Sequence, residues 1–170
     1  KKTVFEISKI LEEFDKKIKI SFSKTRLKIV MGDIKIVSKL INSSFPDYES
    51  VIPKDNDQIM IVDCKSFSET IDRVSTISNE KFRTVKFDIS NNTCVVSSFG
   101  NDKSIGTESV SVEFSGSEIS INFNARYILD VLNIIKTGQV KFHFSKNTAP
   151  TILESDAVKN SIFLIMQMRA

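Results

Sequence analysis

Two cysteines and the single histidine of this chain could together carry nucleophilic chemistry. Cys64 or Cys94 could supply a thiolate, with His143 as its general base. Both cysteines lie in strand-like runs, which indicates buried, reduced thiols of a cytosolic protein. His143 stands between Phe142 and Phe144. Because neighbouring residues of a strand face opposite ways, its ring is predicted to face solvent, away from both thiols.

Other catalytic patterns are missing from the sequence. It contains no G-x-x-x-x-G-K-[ST] phosphate loop and no H-E-x-x-H zinc motif. One histidine and two separated cysteines do not match a familiar zinc-site spacing. Carboxylate pairs such as Glu12 and Glu13 lie on polar helix faces. We therefore predict no enzymatic activity, no metal site and no cofactor.

The elements that would position these residues recur along the chain. A capped amphipathic helix followed by three short alternating strands repeats at a spacing of roughly 60 residues, the scale of a tandem supersecondary unit. The predicted helices begin after caps at Thr3, Ser66 and Asn124, and the first two run over residues 4–14 and 67–77. The second and third units each read β-α-β-β-β. We therefore predict an α+β fold with antiparallel sheets.

Strand details follow from alternation and turn residues. Ile20 and Phe22 alternate with polar residues, which predicts one buried and one wet face. Turns are predicted at Gly32-Asp33 and Asn91-Asn92. A single strand is predicted to place Val110, Val112 and Phe114 on one face. Cys64 is expected in the strand before the second helix.

The prolines mark a boundary between two domains. Pro46 and Pro53 cannot lie within a central strand, so the segment between them is predicted to be a linker. The predicted domains are residues 1–52 and 53–170. The first unit has no leading strand, so we expect the chain to be a fragment of a longer polypeptide.

Charge is unevenly distributed along an otherwise ordinary globular composition. Residues 1–54 carry 12 Lys and Arg against 7 Asp and Glu, whereas residues 55–170 carry 12 against 14. A basic segment of this kind suggests a polyanionic partner on one side of the molecule. The sequence has neither a membrane-length apolar run nor a signal-peptide pattern. We therefore expect a cytoplasmic protein with no membrane partner.

Four segments in order carry a resemblance to a known family. They are Phe45-Pro46-Asp47-Tyr48, Ser78-Asn79-Glu80-Lys81-Phe82-Arg83, the run from Phe123 to Leu132, and Met166-Gln167-Met168-Arg169. Together they resemble the bacterial sliding clamp, the beta subunit of DNA polymerase III, over essentially the whole chain. The resemblance implies a DNA-clamp fold with sheets outside and helices on one face. It also implies that this chain is the second half of the middle domain plus the complete C-terminal domain.

The resemblance implies a replication processivity factor. Such a clamp encircles duplex DNA as a head-to-tail homodimeric ring, without sequence preference, and tethers polymerase subunits, the clamp loader and repair proteins. Lys1 and Lys2 match positions that approach DNA, and Thr76 and Ile77 match the subunit seam. Because the family's N-terminal domain is not represented, the fragment is not expected to close a ring.

The family's partners insert Gln-Leu-x-Leu-Phe type peptides into a pocket between the middle and C-terminal domains. By resemblance, the matching positions are Pro46, Val51, Phe82, Asn124, Tyr127, Thr148, Pro150, Leu164, Ile165, Met166, Gln167 and Met168. Leu164 and Ile165 could instead be core residues. Ser50, Gln167 and Ala170 depart from the family's usual arginine, proline and leucine, which affects the expected peptide preference.

The sequence leaves three classes of function open. The favoured class is a non-catalytic clamp, and the second is a cysteine-dependent hydrolase or DNA-modifying enzyme that uses Cys64 or Cys94 with His143. The third is a structural repeat protein without a nucleic-acid role. Replacing His143 with alanine separates the first two, because a clamp would keep its peptide binding.

Overall fold

The chain folds as two compact units, Lys1–Pro46 and Asp47–Ala170. A computed structural model describes residues 2–12, 17–45, 47–78, 83–145 and 149–168, without the side chain of Lys2. The domain boundary at residues 52 and 53 stays a prediction.

In its described residues, the first unit contains a helix and a three-stranded antiparallel sheet. Its elements are α1 (Lys2–Leu11), β1 (Lys19–Phe22), β2 (Arg26–Met31) and β3 (Ile34–Lys39), with strand order β1-β2-β3. Met31 pairs with Ile34 across a two-residue turn in which Gly32 has a φ of 56°. The predicted turn at Gly32-Asp33 is therefore confirmed, and glycine suits its left-handed conformation.

Two predictions for this unit are wrong. Thr3 lies inside α1 rather than at its cap, and its hydroxyl shares a 2.9 Å hydrogen bond with the hydroxyl of Ser38. Neither face of β1 is buried, since Ile20 and Phe22 are 54% and 81% exposed. Burial falls instead on the central strand β2, where Ile29 is 5% exposed. The predicted helix end at Phe14 lies outside the described residues.

The second unit contains two helices and two antiparallel sheets among its described residues. The helices are α2 (Cys64–Ser75) and α3 (Ala125–Ile135), and a short 3-10 turn covers Glu49–Val51. The strands are β4 (Gln58–Asp63), β5 (Thr84–Ser90), β6 (Thr93–Phe99), β7 (Ile105–Ser111), β8 (Glu113–Ser115), β9 (Ile119–Asn124), β10 (Gln139–Phe144), β11 (Thr151–Glu154) and β12 (Phe163–Ile165). Their orders are β12-β11-β10-β4-β8 and β7-β6-β5-β9.

The two predicted β-α-β-β-β units exchange their leading strands. Strand β4 precedes α2 along the chain, yet it pairs with β10, which follows α3. Strand β9 precedes α3, yet it pairs with β5, which follows α2. Each sheet therefore contains strands from both units. Neither sheet can form completely without the other half of the second unit.

The predicted strand with Val110, Val112 and Phe114 is two strands in different sheets. Strand β7 pairs with β6, whereas β8 pairs with β4. Asn92 holds the chain at the junction between β7 and β8. Its carbonyl accepts from the N–H of Val112 and its Oδ1 accepts from the N–H of Phe114, both at 2.9 Å. Asn91 and Asn92 have φ values of 49° and 57°, which confirms the predicted turn.

Both helices of the second unit begin immediately after a strand. Asp63 caps α2 by accepting from the N–H of Ser66 at 2.9 Å, so the predicted cap at Ser66 is wrong. Cys64 is consequently the first residue of α2 and not a strand residue. Asn124 caps α3 by accepting from the N–H of Arg126 at 3.0 Å, as predicted.

Phenylalanine rings join the two sheets through α2. Phe67 of α2 lies 5.3 Å from Phe87 of β5 and 5.5 Å from Phe142 of β10, measured between ring centroids. All three side chains are fully buried. The helical spacing of Phe67, Ile71 and Val74 creates the buried stripe, whereas Ile77 lies beyond α2 and is 38% exposed.

The α+β class is confirmed by this arrangement of helices over antiparallel sheets. Helices are at most 12 residues long in the described part of the chain, as in α2. Among the described residues, no helix has the length and apolar character needed to cross a bilayer.

Candidate functional site

The two thiols lie in the core. Cys64 and Cys94 are 1% and 0% exposed, and the Cys64 Sγ donates to the carbonyl of Leu132 at 3.5 Å. Burial raises the pKa of the Cys64 thiol, and the charge of Asp63 raises it further. Burial raises the pKa of Cys94 to about 12. Both thiols therefore stay protonated at neutral pH, which makes them poor nucleophiles.

His143 lies on the opposite face of β10 from Phe142 and Phe144, whose side chains are buried in the core. It is less open to solvent than predicted, with its side chain 20% exposed. The Nε2 atom lies 3.1 Å from a carboxylate oxygen of Glu154 on the neighbouring strand β11. The sheet thus separates the imidazole from the core thiols, and no cysteine–histidine pair forms.

Metal ligands do not converge within the described residues. No group of three or more histidine, cysteine, aspartate and glutamate side chains could hold a metal ion there.

The C-terminal segment is held against both sheets. Strand β12 pairs with β11 at the edge of the five-stranded sheet, where Ile165 is opposite Thr151. Three residues later, the N–H of Met168 donates to the carbonyl of Asn122 in β9 at 2.8 Å. The backbone from Phe163 to Met168 therefore spans from one sheet to the other.

Side chains secure the same segment. The Gln167 amide donates to the carbonyl of Ala149 at 3.1 Å. The Thr84 hydroxyl donates to the Met168 sulfur at 3.7 Å. These contacts fix the residues on either side of Met166, so the backbone at Met166 is positioned by its neighbours.

Burial alternates along this segment. Ile165 is 4% exposed, whereas Leu164 and Met166 are 37% and 63% exposed. Strand period two places Leu164 and Met166 on the outward side. Helix α3 packs against β12 and carries Tyr127, which is 57% exposed. We call the outward side chains of Leu164 and Met166 the tail surface.

The other predicted peptide-binding residues have varied settings. Ile165 is core, and Met168 is half-buried. Asn124 uses its Oδ1 as the α3 cap. The carbonyl of Pro150 accepts from the Asn56 amide at 2.9 Å. Val51 is exposed in the 3-10 turn.

Several predicted site residues lie outside the described residues. They are Pro46, Phe82 and Thr148 of the predicted pocket, together with Lys1 and the side chain of Lys2. Their assigned roles stay predictions, as do those of the described site residues.

The predicted seam residues lie at the end of α2. Thr76 follows the helix, and its hydroxyl donates to the carbonyl of Asp72 at 2.9 Å. Ile77 is partly exposed. Its side chain lies beside the β6–β7 hairpin, because a Cβ added at Gly106 would be 2.7 Å from the Ile77 Cδ1. Exposed Phe99 and Ile105 are paired in the same hairpin.

Two concavities formed by described residues lie elsewhere. One, of about 380 Å³, is lined by Lys141, Lys159 and the segment from Glu154 to Asp156, among others. The other, of about 290 Å³, is formed in the first unit by residues including Arg26 and Ile41. Neither of these two is lined by a predicted peptide-binding residue.

Sequence reasoning missed the residues that hold the tail surface in place. Thr84, Asn122 and Ala149 act through a hydroxyl or a carbonyl group. Every residue has a backbone carbonyl, so residue type does not predict which carbonyls accept these hydrogen bonds. Asn122 is at a polar position of an alternating strand, where pattern alone indicates solvent.

Comparison with known families gives matches over nearly the whole chain. The family model of the DNA polymerase III beta subunit, C-terminal domain, matches residues 49–169. The model of the central domain of the same subunit matches residues 1–47.

Individual relatives agree with the family match. A beta sliding clamp from Pseudomonas aeruginosa is 30% identical over 99% of this chain and 46% of its own length, and one from Escherichia coli K12 gives the same values. The solved Caulobacter crescentus pol III beta has a TM-score of 0.89 at 31% identity, covering 99% of this chain and 46% of that one. A sliding clamp from Bartonella birtlesii bound to griselimycin has a TM-score of 0.86 at 32% identity, with the same coverage. The chain thus spans about half the length of these relatives.

Proposed function

This chain belongs to the DNA polymerase III beta subunit family, and from that membership we propose that it serves as part of a DNA sliding clamp. The whole protein would encircle duplex DNA as a ring of two subunits and act in the cytoplasm. It would have no catalytic activity of its own, because its role is to tether the proteins that do the chemistry. The chain itself would supply part of that ring and a docking site for partners.

DNA binding in this proposal is electrostatic and independent of sequence. The segment of residues 1–54 has the excess of Lys and Arg, 12 against 7 acidic residues. Lysine contacts to phosphates release counterions and weaken steeply with salt, so they allow sliding. Lys1 and Lys2 are proposed to approach the duplex, whereas Thr76 and Ile77 are proposed to contact the second subunit.

The tail surface is the observation that supports partner docking. Leu164 and Met166 expose apolar side chains from a backbone held on both sides by hydrogen bonds. Such pre-positioned apolar groups lower the ordering cost of binding. The griselimycin-bound relative is a clamp known to accept a ligand.

The fold also offers backbone groups to an extended peptide. Among the described residues, strand β12 lies at the edge of its sheet, with β11 beside it. An extended segment can add to such an edge, with its leucine and phenylalanine side chains on apolar residues. We therefore propose that Gln-Leu-x-Leu-Phe type segments of polymerase, clamp-loader and repair proteins bind at the tail surface and the neighbouring predicted residues.

Fluorescence anisotropy of a labelled Gln-Leu-x-Leu-Phe type peptide tests this proposal. Met166→Ala removes an exposed apolar side chain and should cost about 1–2 kcal/mol, a roughly 5- to 30-fold weaker affinity. Ile105→Ala is the matched control, because Ile105 has the same 63% exposure but lies on β7. Equal affinities of the wild type and Met166→Ala would reject the site, and so would an equal loss with Ile105→Ala.

A further inference from the structure

The methionines of this chain have different surroundings. Met31 and Met60 are 1% and 0% exposed, whereas Met166 is 63% exposed. Met168 is half-buried, and its sulfur accepts a hydrogen bond from the Thr84 hydroxyl. Thioether oxidation requires that the oxidant reach the sulfur. Met166 is therefore the methionine most open to a dissolved oxidant.

The backbone that carries the exposed Met166 side chain is held in place on both sides. Ile165 before it pairs with Thr151, and Met168 after it is bonded to Asn122. Gln167 is bonded through its side chain to Ala149. The thioether therefore projects outward from an anchored backbone.

The cysteines do not compete with Met166 for a peroxide. A thiolate is the reactive form of cysteine, and the buried thiols of Cys64 and Cys94 have raised pKa values. Both thiols are also covered by the core, at 1% and 0% exposure. A peroxide in solution thus meets the Met166 sulfur before either thiol.

We propose that Met166 is a reversible oxidation site that regulates partner binding at the tail surface. A hydroperoxide transfers one oxygen atom to the sulfur as its O–O bond breaks. The sulfur is oxidised by two electrons to the sulfoxide, and the peroxide is reduced to water or an alcohol. Methionine sulfoxide reductases can reverse the change with electrons from thiols.

The consequence follows from the polarity of the sulfoxide. Oxidation converts a flexible apolar side chain into a polar one, next to Leu164 and in the surface proposed to receive leucine and phenylalanine. Burying an S=O group against apolar side chains without a hydrogen-bond donor is unfavourable. This regulatory effect rests on the proposed peptide-binding function, whereas the location of the oxidised residue does not.

Peptide mapping by mass spectrometry after timed hydrogen peroxide treatment tests the location. We expect the +16 Da change to accumulate first at Met166, more slowly at Met168, and at Met31 and Met60 only after denaturation, where all four should react alike. Oxidation of Met168, Met60 or a cysteine as early as Met166 in the folded protein would overturn the proposal.

Anisotropy with the labelled Gln-Leu-x-Leu-Phe type peptide tests the effect. Each protein is compared with its own untreated sample. Peroxide should weaken binding by the wild type about tenfold, and methionine sulfoxide reductase should restore it. Met166→Leu has no sulfur at this position, so its affinity should not change on treatment, whereas Met168→Leu should remain sensitive.

The outcomes separate the two proposals. Unchanged affinity of an oxidised wild type that binds the peptide would overturn the regulatory role and leave the docking function intact. Failure of the untreated chain to bind any such peptide would refute the docking function and its regulation, and the mass map would still decide the oxidation site. If Met166→Leu does not bind, Met168→Leu decides the effect, because Met166 is then the exposed methionine left to oxidise. Its binding should weaken with peroxide and recover with the reductase.

Discussion

At the scale of single residues, Glu108 connects β7 of the four-stranded sheet to helix α2, which is distant from it in sequence. Arg73 of α2 donates to both carboxylate oxygens of Glu108 on β7, at 3.1 and 2.6 Å. The Thr70 hydroxyl donates to the same carboxylate at 3.0 Å. The Arg73 hydrogen bonds, followed by the Thr70 bond, hold the pKa of Glu108 below its ordinary value of 4.5. No sequence pattern predicted this link.

The depressed pKa of Glu108 predicts a pH-dependent contribution to stability. Because the folded protein favours the carboxylate, the contribution is present above the ordinary pKa and is lost as the pH falls through the lower pKa of the folded state. Glu108→Gln should therefore lower Tm at neutral pH, and its Tm should approach that of the wild type in acid. Thermal unfolding followed by circular dichroism from pH 7 to pH 3 measures the difference.

Glu118→Gln is the control for this series, because Glu118 is an exposed glutamate on the same chain. Its effect on Tm should be small throughout. A Tm difference for Glu108→Gln that stays constant with pH would contradict the role assigned to the carboxylate.

Residue types predicted burial well where a strand has neighbours on both sides. Val85, Phe87 and Ile89 are all 0% exposed on β5, which has β6 and β9 beside it. The same alternation misled at Ile20 and Phe22 on the edge strand β1. Alternation reports which residues share a face, but it does not report whether anything covers that face.

At the scale of elements, the caps of α2 and α3 follow strands without a loop. Asn124 was predictable because its residue type is favoured at caps. At α2, Ser66 and Glu69 match the sequence pattern of a capping box. In the structure, however, Ser66 donates its N–H to the Asp63 side chain, which is the cap. Two acceptable cap residues three positions apart cannot be distinguished by sequence alone.

The α2 cap gives a stability prediction. Asp63→Ala should reduce the free energy of unfolding by about 0.5–2 kcal/mol, because the Ser66 N–H loses its acceptor. Asp63→Asn keeps an acceptor oxygen and should cost less. Ser66→Ala should have little effect, because the cap is the Asp63 side chain. Urea unfolding followed by far-UV circular dichroism compares the three, and a larger loss with Ser66→Ala than with Asp63→Ala would reverse the assignment.

The candidate site was predictable only in part at this scale. The family resemblance selected Leu164, Met166 and Tyr127, which are exposed. It also selected Ile165, which is core, because adjacent residues of a strand cannot both face outward. The hydrogen bonds that anchor the segment come from residues 84, 122 and 149, which are distant in sequence. Such contacts follow from the fold and not from local pattern.

At the scale of the whole molecule, repetition predicted the succession of helices and strands but not their partners. Alternation indicates a face and turn residues indicate a hairpin. Neither shows that β4 pairs with β10 or that β9 pairs with β5. Two hydrogen bonds from Val112 and Phe114 to Asn92 mark the point where β7 ends and β8 begins. The apolar pattern of the sequence continues through this point at Val112. Strand exchange is thus a property of the assembled second unit.

The exchange predicts that both sheets of the second unit unfold together. Cys94 lies in β6 of the four-stranded sheet, whereas Cys64 immediately follows β4 of the five-stranded sheet. Both thiols are buried and hydrogen-bonded or desolvated, so an aromatic disulfide reagent should react only after unfolding. In the single-cysteine variants Cys64→Ala and Cys94→Ala, the labelling midpoint in urea should coincide with the circular dichroism midpoint of the same variant.

Comparison within each variant controls for the destabilisation that either substitution causes. A denatured sample of each provides the fully reactive thiol. If the sheets were independent, one thiol would become reactive at a urea concentration where most of the far-UV signal remained. We expect coincident midpoints because each sheet takes a strand from the half of the unit that forms the other sheet. Unfolding one sheet therefore removes a strand partner from the other. A half-folded second unit would expose both apolar faces and gain no compensating contacts.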